Sequence, residues 1–347
     1  MNRLLTLLSV IGVSLAFNFA NAKPIFGGPE WEKVTIPEAK CGRGADYTIF
    51  IRKHSTSKLL VEFMGGGACW NKQSCVTLPI TWVYPMVELS SFSVLTSETN
   101  TANPFPEHTN VYLPYCTGDV FTGDRVSVYD GMTIYHYGYR NVLLTLKYLK
   151  EKNIIAFDQV SDLIVWGASA GAIGALTHAK NVADYVPADA KKTLISDSPG
   201  LHFGPTFWNK FDADAKRDFK MAFSGVQLDV DFNDGFVARK IGPVLDYYRE
   251  WNIGFLYSLR DRIMSWFFGE ISKKDHEALL LGPEGLPAIA KTKPNVHVWL
   301  NNSDIHRFLL TSKLSQSQSL DGEKAIEFAA EVYRCQPTFP DATRPEK

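Results

Sequence analysis

Two hydrophobic periodicities alternate along this chain. "DYTIFIRK" (Asp46–Lys53) alternates apolar and polar positions, a turn "HSTS" follows, and "KLLVEF" (Lys58–Phe63) is a mostly apolar run. Together they predict an edge hairpin feeding a buried strand. "NVYLPYC" (Asn110–Cys116), "DLIVWG" (Asp162–Gly167), "KTLISDSPG" (Lys192–Gly200) and "NVHVWLNNSD" (Asn295–Asp304) supply further strand candidates. Between them the period changes. In "YGYRNVLLTLKYLKEK", Val142, Leu146 and Leu149 fall at i, i+4 and i+7, the apolar stripe of a helix. "GEKAIEFAAEVYRC" reads as helix after the last strand. Strands alternating with helices predict an α/β fold with a mostly parallel central sheet flanked by helices. Residues 201–290 carry helical periodicity and bulky aromatics ("FWNKF", "SWFFGE"), and are expected to form a helical lid insertion at the carboxyl edge of the sheet. The polar, turn-rich stretch 88–104 is expected on the surface.

The first 22 residues do not follow either pattern. Arg3 precedes an almost unbroken apolar stretch, Leu4–Phe19, and Ala20-Asn21-Ala22 matches the small-x-small site of a signal peptidase. Cleavage there would export residues 23–347 as a single domain, secreted or periplasmic, and no later segment is apolar enough to span a membrane. Export gives the five cysteines a meaning. Cys69 and Cys75, six positions apart in "CWNKQSC", suit a loop staple; Cys41 and Cys116 would form a second bridge, leaving Cys335 unpaired.

A formal net charge of −1 and 45% apolar content give no footprint for nucleic acid or another polyanion. No C-x-x-C or H-E-x-x-H spacing suggests a metal, and "DVDFNDG" places Asp234 and Lys240 where a calcium loop needs glycine and glutamate. No cofactor is expected. The mature chain is expected to be a monomer.

The chemistry concentrates at Gly167-Ala168-Ser169-Ala170-Gly171, a G-x-S-x-G sequence between a strand and a small-residue helix. Such a turn exposes a nucleophilic serine, and its neighbours must be small so that strand and helix can approach. Gly65-Gly66-Gly67, directly after a strand, would aim backbone N–H groups into the same cavity. The amides of Gly66, Gly67 and Ala170 are therefore candidates for an oxyanion hole. Hydrolases with this elbow keep the order serine, acid, histidine. Asp197 and Asp304 both close expected strands, and Asp304 is preferred because it closes the later one.

"CGRGADYTIFIRK", "GGGACWNKQSC", "PYCTGDVFTGD", "HYGYRNVLLTLKYL", "GASAGAIGA", "ISDSPG" and "NNSDIHRFL" together resemble the pectin acetylesterase family, which includes the Notum carboxylesterases. The likeness runs from about residue 38 to 310. It implies an α/β-hydrolase-like fold and a serine esterase acting on an O-acylated carbohydrate or another ester. It implies Ser169 as nucleophile, Asp304 as acid, Gly66, Gly67 and Ala170 as oxyanion hole, and a Cys69–Cys75 disulfide. The departures concern the base. The family places its histidine after a further strand, whereas no histidine follows His306. Phe121 stands where many bacterial members carry histidine, and Arg307 where glutamine is usual. The base is thus expected to be missing or replaced by His306 or, alternatively, His202; His276 reads as helix surface and His178 lies far down the elbow helix. Three readings follow: a serine carboxylesterase, a non-catalytic homologue that binds a glycan or acylated ligand, or an esterase lacking a C-terminal piece.

Overall fold

The computed structural model describes residues 31–77, 93–97 and 100–335, so the leader expected at 1–22 lies outside the described residues. Strands β1 (Glu32–Lys40) and β2 (Asp46–Arg52) form an antiparallel hairpin, and β3 (Ser55–Phe63) and β4 (His108–Leu113) follow. A separate hairpin, β5 (Arg125–Tyr129) and β6 (Met132–His136), leads into helix α1 (Gly138–Glu151). Then come β7 (Asp162–Ala168), α2 (Ala170–Ala183), β8 (Lys191–Asp197), α3 (Ala213–Ser224) and α4 (Gly242–Tyr247). The chain ends with β9 (Asn252–Ser258), α5 (Lys273–Leu281), α6 (Leu286–Ala290), β10 (Val296–Asn301), α7 (Ser312–Ser315) and α8 (Ala325–Arg334). One eight-stranded sheet runs β1-β2-β4-β3-β7-β8-β9-β10. It is antiparallel at β1–β2–β4 and parallel from β4 onward.

The two-residue period of the strands sorts side chains to opposite faces. Leu59, Val61 and Phe63 of β3, with Leu163 and Val165 of β7, pack with Val142, Leu146 and Leu149 of α1 and Leu176 of α2. Leu60, Ile164 and Trp166 point the other way and pack with Phe328, Ala329 and Val332 of α8. Each such side chain contributes about 1.5–3 kcal/mol on burial, which fixes the register of every strand.

Three expectations require correction. The stretch 201–290 is not one helical insertion, because β9 runs through it as a central strand. All seven residues of β9 are buried. A parallel strand covered on both faces shows no alternation to mark it, and its apolar run is mistaken for buried helix. The described part of the expected surface excursion, residues 93–97, is largely buried instead: Val94 and Leu95 pack with Leu60. His276 is buried, with Nδ1 hydrogen-bonded to the Leu259 carbonyl, rather than lying on a helix surface.

Two disulfides form, Cys41–Cys116 and Cys69–Cys75, and Cys335 is free. The first ties the β1–β2 turn to the chain leaving β4. The second closes the loop that follows the glycine run. No helix among the described residues is long and apolar enough to cross a membrane.

Candidate active site

Ser169 sits between the last residue of β7 and the first of α2, with φ 58° and ψ −121°. A non-glycine residue takes this conformation only at a cost, and a strained serine at a strand–helix turn is the geometry of a nucleophile elbow. Its neighbours show why the sequence reads G-x-S-x-G. A Cβ on Gly167 would lie 2.1 Å from the Gly171 carbonyl oxygen, and one on Gly171 would lie 2.0 Å from that of Phe63. Only glycine lets α2 start so close to β3 and β7. The Ser169 amide donates to the Asp197 carbonyl (2.9 Å), and its Oγ donates to the Gly66 carbonyl (3.5 Å).

Ser169, Gly66, Gly67 and Ala170 border one pocket of about 60 Å³. Its other walls are apolar and include Ile173, Leu201, Phe203, Phe207, Met264 and Phe268. Among the described residues the amides of Gly66, Gly67 and Ala170 donate to no other protein group. Phe203 and Phe207 stack at 4.0 Å between centroids, so part of the aromatic segment expected as a lid forms the pocket wall.

The acid expected at Asp304 is elsewhere engaged. It is half-exposed, pairs with Lys273 at 2.6 Å, and that lysine holds its carboxyl below the usual range. Asp197, the other candidate, is fully buried, and burial pushes its carboxyl up. It accepts from the amides of Phe308 (2.7 Å) and Leu309 (2.9 Å) and from the Ser198 hydroxyl (2.9 Å). Asp197 therefore pins the loop after β10 to the end of β8.

That loop carries His306, whose Nδ1 lies 2.8 Å from Oδ2 of Asp261. Asp261 follows β9, is 1% exposed, and its Oδ1 accepts from the amides of Ile263 (2.9 Å) and Met264 (3.0 Å). A carboxylate only accepts, so the His306 proton sits on Nδ1 and leaves Nε2 basic. Nε2 is buried and has no hydrogen-bond partner among the described residues. The chain order is Ser169, Asp261, His306, as elbow hydrolases require. A histidine thus does follow a strand later than the one that ends in a buried carboxylate. The expectation of a base beyond a further strand follows from placing the acid at Asp304, after β10, rather than after β9. Asp261 itself was missed; its one signal is the apolar run "NIGFLYS" closing at "LRD".

The ring nitrogens of the candidates His202 and His178 are committed. His202 is fully buried, which drives its ring down to about 3; Nδ1 contacts the Gly200 carbonyl and Nε2 accepts from Leu286 N. His178 bonds the Phe121 carbonyl through Nε2 and Asn181 through Nδ1. Cys69, Cys75 and His136 have metal-ligand proximity, but both sulfurs are bound in the disulfide.

The strand order, the parallel sheet with helices on both faces and the strained serine at the end of a central strand define an α/β-hydrolase-like protein. Within that class, the pectinacetylesterase family model matches residues 32–229, which include Ser169, and the chain belongs to this family. It is 25% identical over 142 residues to pectin acetylesterase 4 of Arabidopsis thaliana, covering 40% of this chain and 34% of that protein. It is also 25% identical over 162 residues to the palmitoleoyl-protein carboxylesterase notum2 of Xenopus laevis, covering 44% of this chain and 32% of that one. The chain thus spans about a third of the length of these curated relatives. The crystal structure of the Wnt deacylase Notum from Drosophila superposes with a TM-score of 0.61 at 14% identity, covering 86% of this chain and 91% of the other. At that identity the likeness is one of fold.

Proposed function

We propose that this protein is an exported serine esterase in which Ser169 is the nucleophile, His306 the base and Asp261 the acid. The observation that carries the reading is the 2.8 Å contact between Asp261 and His306 Nδ1, with Nε2 buried and free. Ser169 Oγ attacks the ester carbonyl and its proton passes to His306 Nε2. The negative oxygen forms against the amides of Gly66, Gly67 and Ala170. Collapse expels the alcohol, which takes the proton from His306, and leaves an acyl group on Ser169. Water, deprotonated by His306, then releases the carboxylic acid. Asp261 keeps the imidazole in the required tautomer throughout.

The apolar pocket suits the acyl half of the ester. The substrate is an O-acylated carbohydrate or another small ester, in keeping with the names of the relatives. Export is supported by the leader sequence and the two disulfides. The protein is taken to act as a monomer without a cofactor.

A non-catalytic, ligand-binding role is the second reading, and one observation favours it: Ser169 Oγ is directed at the Gly66 carbonyl rather than at an imidazole. Hydrolysis of 4-nitrophenyl acetate by residues 23–347 separates the two. The esterase reading expects turnover that disappears in Ser169→Ala and in His306→Ala. A wild-type rate no greater than that of Ser169→Ala would overturn it.

A further inference from the structure

Arg307 follows the proposed base directly and is held with φ 70°, a left-handed conformation that costs an arginine energy. Its amide donates to the Ser198 hydroxyl at 3.1 Å, which helps to hold that backbone. The side chain turns inward. Its Nη1 lies 3.1 Å from the position a Cβ would take on Gly65, a position that is itself 2.6 Å from the Ala168 carbonyl oxygen. The guanidinium thus reaches the first residue of the glycine run, beside the strand end that carries Ser169.

No group among the described residues accepts a hydrogen bond from this guanidinium, and its Nε is buried without a partner. Asp197 and Asp261 are its electrostatic neighbours, but neither forms an ion pair with it. Both carboxylates are already used. Asp197 accepts from Phe308, Leu309 and Ser198, and Asp261 accepts from His306, Ile263 and Met264. A half-buried arginine whose donors are unspent is costly unless something else completes it.

Its position says which half of an ester would do so. The apolar pocket is lined by Gly66, Gly67, Ser169, Ala170 and Ile173, and Arg307 is not among its walls. His306, which must hand a proton to the departing alcohol, brings Arg307 with it on the next residue. We propose that Arg307 is a recognition residue for a carboxylate borne on the alcohol half of the substrate, close to the scissile bond. A planar guanidinium fork matches a carboxylate through two parallel hydrogen bonds. This rests on the reading of Ser169 as nucleophile.

A matched pair tests it: 4-acetoxybenzoate, whose leaving phenol carries a carboxylate, and its neutral methyl ester. Wild type is expected to favour the carboxylate in kcat/KM by about tenfold or more, the scale of a charge-assisted pair. Arg307→Gln brings the ratio down to one or below, where the more acidic phenol of the methyl ester leaves at least as readily, and Arg307→Lys, which keeps the charge without the fork, gives an intermediate ratio. Should the glutamine variant not fold, the drop in the lysine variant carries the test. The proposal is overturned by a wild-type ratio of one or below. It is equally overturned by a ratio that survives substitution while both rates fall together, since that marks a purely structural arginine. A calorimetric titration of Ser169→Ala with 4-hydroxybenzoate separates this from the esterase reading. Binding that is lost on adding Arg307→Gln, with no turnover of either ester by wild type, would sink the esterase and leave the carboxylate site. Ser169-dependent turnover with an Arg307-independent ratio would do the reverse.

Discussion

Asp261→Asn and Asp304→Asn, made side by side, separate two assignments of the acid. In the native site Oδ1 of Asp261 accepts both the Ile263 and Met264 amides, while Oδ2 faces His306 Nδ1. An asparagine keeps both amides satisfied by placing its carbonyl oxygen at the Oδ1 position. Its NH2 group then faces Nδ1, which must accept rather than donate. The ring proton moves to Nε2 and the imidazole no longer takes a proton from Ser169. The same exchange in a serine protease lowers kcat about 10⁴-fold, a loss of roughly 5.5 kcal/mol in transition-state stabilisation, and a similar loss is expected here. Thermal stability should change little, because the two amide bonds persist. Asp304 pairs with Lys273 with side-chain exposures of 49% and 40%, and such a pair is worth about 0–1 kcal/mol. Asp304→Asn should therefore leave kcat within about twofold of wild type. The assay is steady-state hydrolysis of 4-nitrophenyl acetate with melting temperatures measured in parallel. If Asp304→Asn abolishes turnover and Asp261→Asn does not, the tautomer argument is wrong.

Two further predictions concern stability. Glu62 accepts from Ser93 and Thr96, and burial pushes its carboxyl from an ordinary 4.5 up to about 8. The folded state holds this proton more tightly than the unfolded chain, so the contribution is full below about 4.5 and is lost as pH rises toward about 8. Relative to Glu62→Gln, wild type should weaken progressively across that window, by a few kcal/mol in all at about 1.4 kcal/mol per unit; urea midpoints that move in parallel would contradict it. Cys41–Cys116 closes a 75-residue separation and Cys69–Cys75 one of 6. On the chain-entropy view, replacing the first pair by serine should cost about 4.5 kcal/mol and the second about 2. Denaturation in which the short-loop variant is the weaker of the two would show that native-state contacts, not loop closure, dominate.

Local pattern was enough for much of this protein. G-x-S-x-G between a strand run and a small-residue helix marked Ser169, since no larger residue fits at Gly167 or Gly171. The glycine run marked the other border of the pocket, and the alternation of strand and helix periods marked the α/β sheet. These features are written within a few residues of each other, where backbone sterics alone set the choice. The partner of His306 is not written that way. Asp304 stands two residues from it and Asp261 in the loop after a different strand, and only the sheet order says which one meets the ring. β9 and β10 lie side by side and parallel, so their carboxyl ends open onto one place. Asp197 at the end of β8 then draws the loop after β10 inward. A strand buried on both faces carries no periodic mark, so β9, and the carboxylate just beyond it that meets His306, became visible only once its neighbours were in place.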